Sequence, residues 1–268
     1  MDNRPIGVFD SGVGGLTVVK EIMKQLPAED IVYFGDTARV PYGTRSRDTV
    51  IKFTLQSVRF LMSQGIKAVV LACNTASAIS LEVAQQQFDV PILGVVEGGA
   101  IAAVHATKNK RIGVIGTEGT INSGAYERAI KLLDDSIETF ARPCPLFVPL
   151  VEEGLQDSEI AYMAAREYLS FFEGTGIDTL LMGCTHYPLM VNTIRRAVGA
   201  GVKLINPAEK TALILKRTLL QMDILNDGAK PPRYRYFASD DGERFKKIGS
   251  SFLECHISCA SRIDIERY

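Results

Sequence analysis

The sequence has no strong excess of charge of either sign. Lys and Arg number 30 against 31 Asp and Glu, so the formal net charge is −1. This balance lacks the electrostatic footprint of proteins that bind nucleic acid or an anionic membrane surface, although it leaves room for a local basic pocket for a small acid. We therefore expect neither nucleic acid nor a membrane among the partners.

Long apolar runs and histidine are also scarce. No apolar run approaches the length of about 18 residues that a membrane helix needs, and the opening "MDNRPIGVFDSG" lacks the basic-then-apolar order of a secretory signal. The cytoplasm is the expected location. With three histidines in the chain, the run "CHISC" (255–259) supplies too few ligands for a structural zinc site. We predict no metal site and interpret this run as an edge-strand segment.

Cysteine is infrequent and widely spaced. The five cysteines, 73, 144, 184, 255 and 259, are an odd number. In a reducing compartment they are expected to be free thiols rather than a disulfide framework. Cys144 lies between two prolines and is interpreted as a connector residue.

The remaining composition is that of an ordinary folded protein. Hydrophobic residues make up 46% of the chain and charged residues 23%, which is ample for a core. Short apolar runs alternate with longer amphipathic stretches, which predicts an α/β fold with mostly parallel sheets and ligands at the carboxyl ends of the strands. The predicted strands span 6–9, 30–34, 67–72, 91–96, 111–116, 136–140, 178–183 and 202–205. The predicted helices span 15–26, 47–64, 75–88, 97–107, 120–134, 157–173, 188–199 and 207–222.

The chain also repeats itself weakly, and this predicts two similar α/β domains, 1–97 and 98–206, that face each other across a cleft. The remaining tail, 207–268, must pack on one of them, and its "PPRYRYFASDDGERF" predicts a turn followed by a strand. The runs that resemble each other are "IGVFDSG" (6–12) with "IGVIGTEG" (112–119), and "AVVLACNTA" (68–76) with "TLLMGCTHY" (179–187).

Cys73 ends one of the predicted strands, directly before an Asn-Thr pair. A lone cysteine in that place is most simply a small buried hydrophobe. Cys184 has the equivalent place in the second unit and is also followed by threonine. Two units that face each other would direct both thiols into one cleft, so we interpret both cysteines as functional.

Two thiols across a cleft favour one type of chemistry. A disulfide is disfavoured in a reducing compartment, and a metal would need more ligands. Two bases on opposite faces of one carbon fit better: one thiolate removes a proton and the opposing thiol returns one, which inverts a stereocentre. The predicted helices start just after both cysteines, and their dipoles are expected to favour the thiolate form.

Asp10 and Ser11 stand at the end of the first strand, in "FDSGVGGL". Asp10 could accept a hydrogen bond from a substrate ammonium or assist a thiol; the alternative is a turn residue that caps the following helix. Gly12 and Gly14 also fit the start of a dinucleotide fingerprint, but Thr17 stands where that pattern needs its closing glycine. A nucleotide site is therefore only weakly indicated.

Other short polar residues lie beside the predicted strand ends. The turn "ARVPYGTRS" could hold a carboxylate through the backbone N–H groups of Tyr42 and Gly43, although the pattern alone favours an ordinary loop. Asn74, Thr75 and Thr185 offer polar groups next to the thiols and could equally be helix caps. Both interpretations stay open for these residues.

His186 follows Cys184 by two residues. At a helix start its imidazole could lie near that thiol as a base, an acid or a cation, and the alternative is a structural histidine. Glu152, in "PLVEEGL", is interpreted from its neighbours as a solvated charge in a loop.

Five motifs together resemble the glutamate racemase family, a group of cofactor-independent amino-acid racemases. In order along the chain they are "GVFDSGVGGLTV", "DTARVPYG", "ACNTAS", "VPLVEEG" and "MGCTHYPL", and the resemblance covers essentially the whole chain. It implies an isomerase with two α/β domains, an active site between them and a tail, 207–268, that returns to the first domain. It further implies that L- and D-glutamate are interconverted for peptidoglycan synthesis without pyridoxal phosphate or metal, commonly by a homodimer.

The resemblance also implies roles for single residues. Cys73 would deprotonate D-glutamate with help from Asp10, and Cys184 would deprotonate L-glutamate with help from His186. Glu152 matches a further acidic residue linked to catalysis. The implied substrate contacts are Asp10, Ser11, Tyr42, Gly43, Asn74, Thr75, Thr185 and His186.

Two other functions stay open. A racemase for another acid, such as aspartate, is disfavoured because the aspartate relatives typically carry Glu where His186 stands. A non-catalytic amino-acid binding protein could also have two α/β lobes and a cleft. Capture of a ligand does not need two facing cysteines, which counts against that alternative.

Overall fold

Six parallel strands form the larger sheet in a computed structural model of the chain, which describes residues 1–268. The central strands are buried along their whole length, as expected for parallel strands covered on both faces. Their order is β10-β9-β2-β1-β3-β4. The strands are β1 (Ile6–Asp10), β2 (Ile31–Gly35), β3 (Ala68–Leu71), β4 (Ile92–Gly94), β9 (Tyr234–Ala238) and β10 (Ser261–Arg262).

Four parallel strands form the smaller sheet, in the order β6-β5-β7-β8. The two sheets share one plan, because the order β2-β1-β3-β4 in the larger sheet repeats the order β6-β5-β7-β8. The prediction of two similar, mostly parallel α/β units is therefore confirmed. The strands of the smaller sheet are β5 (Arg111–Gly116), β6 (Glu138–Pro143), β7 (Thr179–Gly183) and β8 (Lys203–Ile205).

Helices connect successive parallel strands in both units. None of them combines the length and the apolar composition that crossing a lipid bilayer requires. The helices are α1 (Leu16–Gln25), α2 (Arg47–Ser63), α3 (Asn74–Gln87), α4 (Val95–Ala106), α5 (Glu118–Asn122), α6 (Ala125–Leu133), α7 (Phe147–Glu152), α8 (Glu159–Leu169), α9 (Val191–Val198), α10 (Pro207–Gln221) and α11 (Gly242–Leu253). Short 3₁₀ turns span Ser170–Phe172, Tyr187–Met190 and Ile265–Arg267.

Three predicted elements differ from the observed ones. The predicted helix 120–134 is divided into α5 and α6 at Gly124, whose φ of +63° is left-handed. The predicted strand 91–96 ends at Gly94, because a short apolar run does not distinguish a strand from the start of a buried helix. The run 255–259 is irregular and not an edge strand; the edge strand β10 follows it.

One apolar interior lies along both sheets. The largest hydrophobic cluster holds 38 buried residues, among them Ile6 and Val8 of β1 and Leu180 and Met182 of β7. Helix α10, which follows the smaller sheet, packs against α1 and α4. The tail then adds β9, which pairs with β2; a strand was predicted in this segment of the tail. This shared interior holds the carboxyl ends of β1, β3 and β7 close together.

Candidate active site

Cys73 lies two residues after the end of β3 and is the N-cap residue of α3. Its thiol donates to Ser11 Oγ at 3.5 Å and accepts from the Ala76 N–H at 3.5 Å. Burial, together with the nearby Asp10 carboxylate, raises the pKa of Cys73 to about 12, and these two hydrogen bonds offset only part of that effect. The start of α3 does lower the pKa of Cys73, as expected, through the Ala76 N–H, but desolvation outweighs this effect. At neutral pH Cys73 is a thiol.

Cys184 lies directly after β7 and heads a chain of polar groups. Its Sγ is 3.9 Å from His186 Nδ1, and His186 Nε2 is 3.0 Å from Glu152 Oε1. The helix α9 starts only at Val191, after a 3₁₀ turn, so the expected helix N-terminus next to this cysteine is absent. The neighbouring imidazole supplies the positive charge instead.

Opposing effects set the charge on His186. Burial alone would favour the neutral ring, but the hydrogen bonds with Cys184 and Glu152 outweigh it and raise the pKa of His186 to about 10. The same hydrogen bond to His186 holds the pKa of Glu152 below its usual range, against the effect of burial. A carboxylate and an imidazolium therefore form a chain of polar contacts that leads to the Cys184 sulfur.

The environment of Glu152 differs from the predicted one. Glu152 ends the short helix α7 rather than standing in a loop, and it is half-buried rather than solvated. The local sequence could not reveal this, because its partner His186 comes 34 residues later in the chain.

Asp10 connects the two halves at the ends of β1 and β7. Its carboxylate accepts from the Gly12 N–H at 3.0 Å and from Thr185 Oγ1 at 3.4 Å. Burial raises the pKa of Asp10, while the charge of His186 and these hydrogen bonds act in the opposite direction. Asp10 is not the cap of the next helix, whose N-cap is Gly15. The carboxylate thus lies between Cys73 and the segment that carries Cys184.

Tyr42 and Gly43 are the buried residues of the turn that precedes α2, and their backbone N–H groups donate no hydrogen bond within the chain. The Tyr42 hydroxyl donates to the buried Asp36 carboxylate at 2.5 Å. The Gly43 carbonyl accepts from the Gly119 N–H at 2.8 Å, across to the other half of the molecule. A Cβ on Gly43 would lie 2.5 Å from Thr117 Cβ, so only glycine permits this approach. The turn is therefore a bridge between the halves and not a free surface loop.

Asn74 and Thr75, at the start of α3, contact residues that the sequence did not single out. The Asn74 amide oxygen accepts from the Tyr126 hydroxyl at 2.5 Å. Thr75 Oγ1 lies 2.8 Å from Thr117 Oγ1 and 3.2 Å from Thr120 Oγ1. The internal repeat contained a signal for Thr117, because "IGVIGTEG" aligned with "IGVFDSG" sets it opposite Ser11.

The glycine-rich stretch after β1 is explained by close packing. A Cβ on Gly14 would lie 2.3 Å from Thr185 Oγ1 and 2.6 Å from His186 Nδ1. Thr17 Oγ1, at the position that breaks the dinucleotide pattern, donates to the Gly14 carbonyl at 2.8 Å. Glycine is needed here so that the backbone can approach the polar groups around Cys184.

The thiols of the other three cysteines make no hydrogen bond with these groups. Cys144 is buried, and its carbonyl accepts from the Tyr187 hydroxyl at 2.8 Å. Cys255 and Cys259 are exposed free thiols in the tail. No group of three or more His, Cys, Asp or Glu side chains is arranged to hold a metal ion.

Comparisons with known proteins agree with this geometry. The profile of the Asp/Glu/hydantoin racemase family matches residues 6–213. A glutamate racemase of Geobacter metallireducens is 49% identical over 263 residues, which cover 98% of this chain and 97% of that protein. The crystal structure of the Francisella tularensis glutamate racemase with D-glutamate is 41% identical, covers 100% of both chains and superposes with a TM-score of 0.94.

A glutamate racemase isoform of Bacillus anthracis gives a similar result. Its crystal structure superposes with a TM-score of 0.94 at 41% identity and covers 98% of both chains. The likeness therefore extends over both sheets and the tail, and not over one domain alone. The chain belongs to the Asp/Glu/hydantoin racemase family and is an isomerase.

Proposed function

We propose that this protein is a glutamate racemase that uses Cys73 and Cys184 as its two acid/base groups. One observation carries the proposal: two buried thiols follow equivalent strands, β3 and β7, and each has its own proton partners. The relatives named as glutamate racemases, and the Francisella structure that contains D-glutamate, support glutamate as the substrate.

The reaction is a transfer of two protons on opposite faces of the α-carbon. With L-glutamate, the Cys184 thiolate takes the α-proton and leaves a carbanion, which then takes the proton of the Cys73 thiol on the other face. The product is D-glutamate, with a thiol at Cys184 and a thiolate at Cys73. The reverse reaction exchanges the roles, and proton transfer through neighbouring groups restores the starting state between turnovers.

The environments of the two thiols suit this division. Cys73 has a raised pKa and is protonated before L-glutamate reacts, as a proton donor must be. Cys184 lies beside an imidazole with a pKa of about 10, which is protonated at neutral pH, and in this proposal that cation supports Cys184 in its role as the base. In this proposal Asp10 and Ser11 assist the first thiol, while His186 and Glu152 assist the second.

The substrate is proposed to lie between the thiols, against the polar groups at the strand ends. The Asp10 carboxylate would bind its ammonium group. The hydroxyl groups and backbone N–H groups of the site would bind the two carboxylates of the substrate. They would also stabilise the negative charge that develops when the α-carbon loses its proton. The remaining proposed contacts are Ser11, Tyr42, Gly43, Asn74, Thr75, Thr185 and His186.

Nearly all of these residues are buried, so binding would require the two halves to separate. The hydrogen bonds between the halves, among them that from the Gly119 N–H to the Gly43 carbonyl and that from the Tyr126 hydroxyl to Asn74, would break and form again. Closure would exclude water, which strengthens the electrostatic stabilisation of a carbanion that no cofactor delocalises.

Three variants test the two-thiol mechanism. Chelator-treated protein is incubated with L-glutamate, and the circular dichroism of the amino acid is followed. Wild type should lose the L signal, and Cys73→Ala and Cys184→Ala should each retain it almost fully. Cys144→Ala, which removes a buried thiol outside this arrangement, should racemise. Full activity in either of the first two variants would exclude that thiol from the mechanism.

Two further measurements separate the alternatives. Rates with L-aspartate under the same conditions decide the substrate, and faster turnover of aspartate would contradict the assignment to glutamate. In D₂O, deuterium should enter the α-position of glutamate, because both thiols exchange with solvent. A protein that only binds glutamate would leave the α-hydrogen in place.

The cellular role is also part of the proposal. We infer that the protein acts in the cytoplasm as a homodimer and supplies D-glutamate for peptidoglycan, because the family resemblance implies these properties. It should restore growth of a bacterium that lacks its own glutamate racemase, without added D-glutamate. Light scattering after size-exclusion chromatography measures the oligomeric state, and a monomer at the concentration of the assay would contradict the dimer.

A further inference from the structure

The His186 ring is enclosed on four sides. Its two nitrogens face Cys184 and Glu152, and the Gly14 backbone approaches it closely enough that a Cβ there would lie 2.7 Å from His186 Cε1. The fourth contact is with Phe252, whose ring meets the imidazole edge to face, with centroids 5.4 Å apart and planes at 82°. An aromatic ring therefore completes the set of contacts that hold the imidazole beside Cys184.

Phe252 comes from the tail and not from the unit that carries Cys184. It lies near the end of α11 and is 4% exposed. Helix α11 packs on the start of α1 so closely that a Cβ on Gly249 would lie 2.8 Å from Leu16 Cδ1. The tail thus holds Phe252 against the same stretch whose Gly14 backs the imidazole.

We infer that Phe252 is a positioning residue for His186, and through it for proton transfer at Cys184. Two of the four contacts around the imidazole are polar and lie at its edge, so they permit the ring to tilt. The aromatic ring of Phe252 and the Gly14 backbone restrict that tilt, and perpendicular ring pairs of this kind have a preferred geometry. The C-terminal tail would in this way control one of the two proton transfers. This inference rests on the proposed two-thiol mechanism.

Isotope effects distinguish this role from a general loss of structure. Cys184 breaks the α-C–H bond of L-glutamate, whereas Cys73 breaks that of D-glutamate. A displaced His186 slows proton transfer at Cys184 alone. Bond cleavage then limits the rate more strongly with L-[α-²H]glutamate and less strongly with D-[α-²H]glutamate, so the two isotope effects on kcat/KM diverge.

Phe252→Leu is the main variant, because it keeps an apolar side chain and removes the aromatic ring. We expect kcat/KM to fall by up to about tenfold in both directions, since the equilibrium constant between enantiomers is one. The isotope effect should rise for L-glutamate and fall for D-glutamate relative to wild type. Phe252→Tyr keeps the ring and should retain the wild-type ratio of isotope effects. Phe252→Met, which also lacks the aromatic ring, replaces the leucine variant if that one does not fold and should show the same divergence.

Phe245→Leu is the matched control on the same helix. Phe245 is equally buried but packs on Tyr33, with ring centroids 5.8 Å apart. The Phe245→Leu variant should not raise the isotope effect with L-glutamate, even if its melting temperature falls as much as that of Phe252→Leu. An active Phe252→Leu with unchanged isotope effects would overturn the inference. Failure of the proposed mechanism would be seen separately: either Cys184→Ala would still racemise glutamate, or the wild-type protein would not racemise it.

Discussion

Replacement of Glu152 by glutamine tests the contacts that lead from the Glu152 carboxylate through the His186 imidazole to the Cys184 thiol. The carboxylate is 3.0 Å from His186 Nε2, and the two side chains are 21% and 4% exposed, respectively. Glutamine keeps the size of the side chain and an acceptor oxygen, but it removes the negative charge that helps to keep the imidazole protonated. The neighbouring exposed Glu153 offers the matched control Glu153→Gln.

The magnitude follows from the type of hydrogen bond that is lost. A hydrogen bond to a charged group contributes about 1.5–3 kcal/mol to stability, and a neutral one about 0.5–1.5 kcal/mol. Glu152→Gln should therefore lower the free energy of unfolding by about 1–1.5 kcal/mol near pH 6. If the imidazolium supports the Cys184 thiolate to the same extent, kcat with L-glutamate should fall by about tenfold.

The effect on stability should depend on pH. The folded-state pKa of His186, about 10, lies above its ordinary 6.5, so the stabilisation from this residue is complete below about pH 6.5 and is lost as the pH rises through about 10. The pKa of Glu152 is lowered from 4.5, so its contribution is present above that value and is lost as the pH falls further. The difference in the free energy of unfolding between wild type and Glu152→Gln should therefore be largest between pH 4.5 and pH 6.5, the ordinary pKa values of the two groups.

Urea unfolding of the three proteins at pH 6 and at about pH 10.5, together with kcat at pH 8, measures both effects. Glu153→Gln should match wild type within about 0.5 kcal/mol, as surface substitutions usually do. Equal destabilisation of Glu152→Gln at both pH values would refute the argument, because it would mean that the charge on His186 contributes nothing.

Three further substitutions have defined outcomes. Lys67→Met should destabilise by about 3–5 kcal/mol in urea unfolding, because it leaves the buried Glu29 carboxylate, 2.6 Å from Lys67 Nζ, without its partner; a neutral result would contradict this. Gly14→Ala should reduce kcat by about a hundredfold while circular dichroism stays native, because its Cβ would displace His186. Tyr126→Phe should raise the KM for glutamate and lower stability by about 1–3 kcal/mol, because it leaves a buried amide oxygen unpaired. An unchanged KM would exclude that amide from binding.

Much of the fold could be predicted because its signals are local. Parallel strands that are buried on both faces have continuous apolar sequences. Such runs predicted β1 to β8, the eight strands that precede the tail. The weak repeat predicted two units of one plan, and the sheet orders share that plan. The exceptions were local as well: a left-handed Gly124 inside an apparent helix, and a short apolar run that turns into α4 at Val95.

The positions of the two cysteines could also be predicted, since each follows the end of an equivalent strand. Their protonation could not, because it depends on desolvation by residues from the whole chain. The helix dipole beside Cys73 predicted a thiolate, whereas burial and Asp10 make it a thiol. At Cys184 the positive charge comes from His186 and not from a helix end.

The sequence by itself determined the α/β plan, the family and the two thiols, because apolar runs, strand ends and short motifs are properties of neighbouring residues. Only the tertiary structure decided which groups surround those thiols. Asp10 meets Thr185 across 175 positions of sequence, and Phe252 reaches His186 from the tail. Such contacts arise from packing between distant segments, which no local pattern encodes, and packing also controls the desolvation that sets the charge of each group.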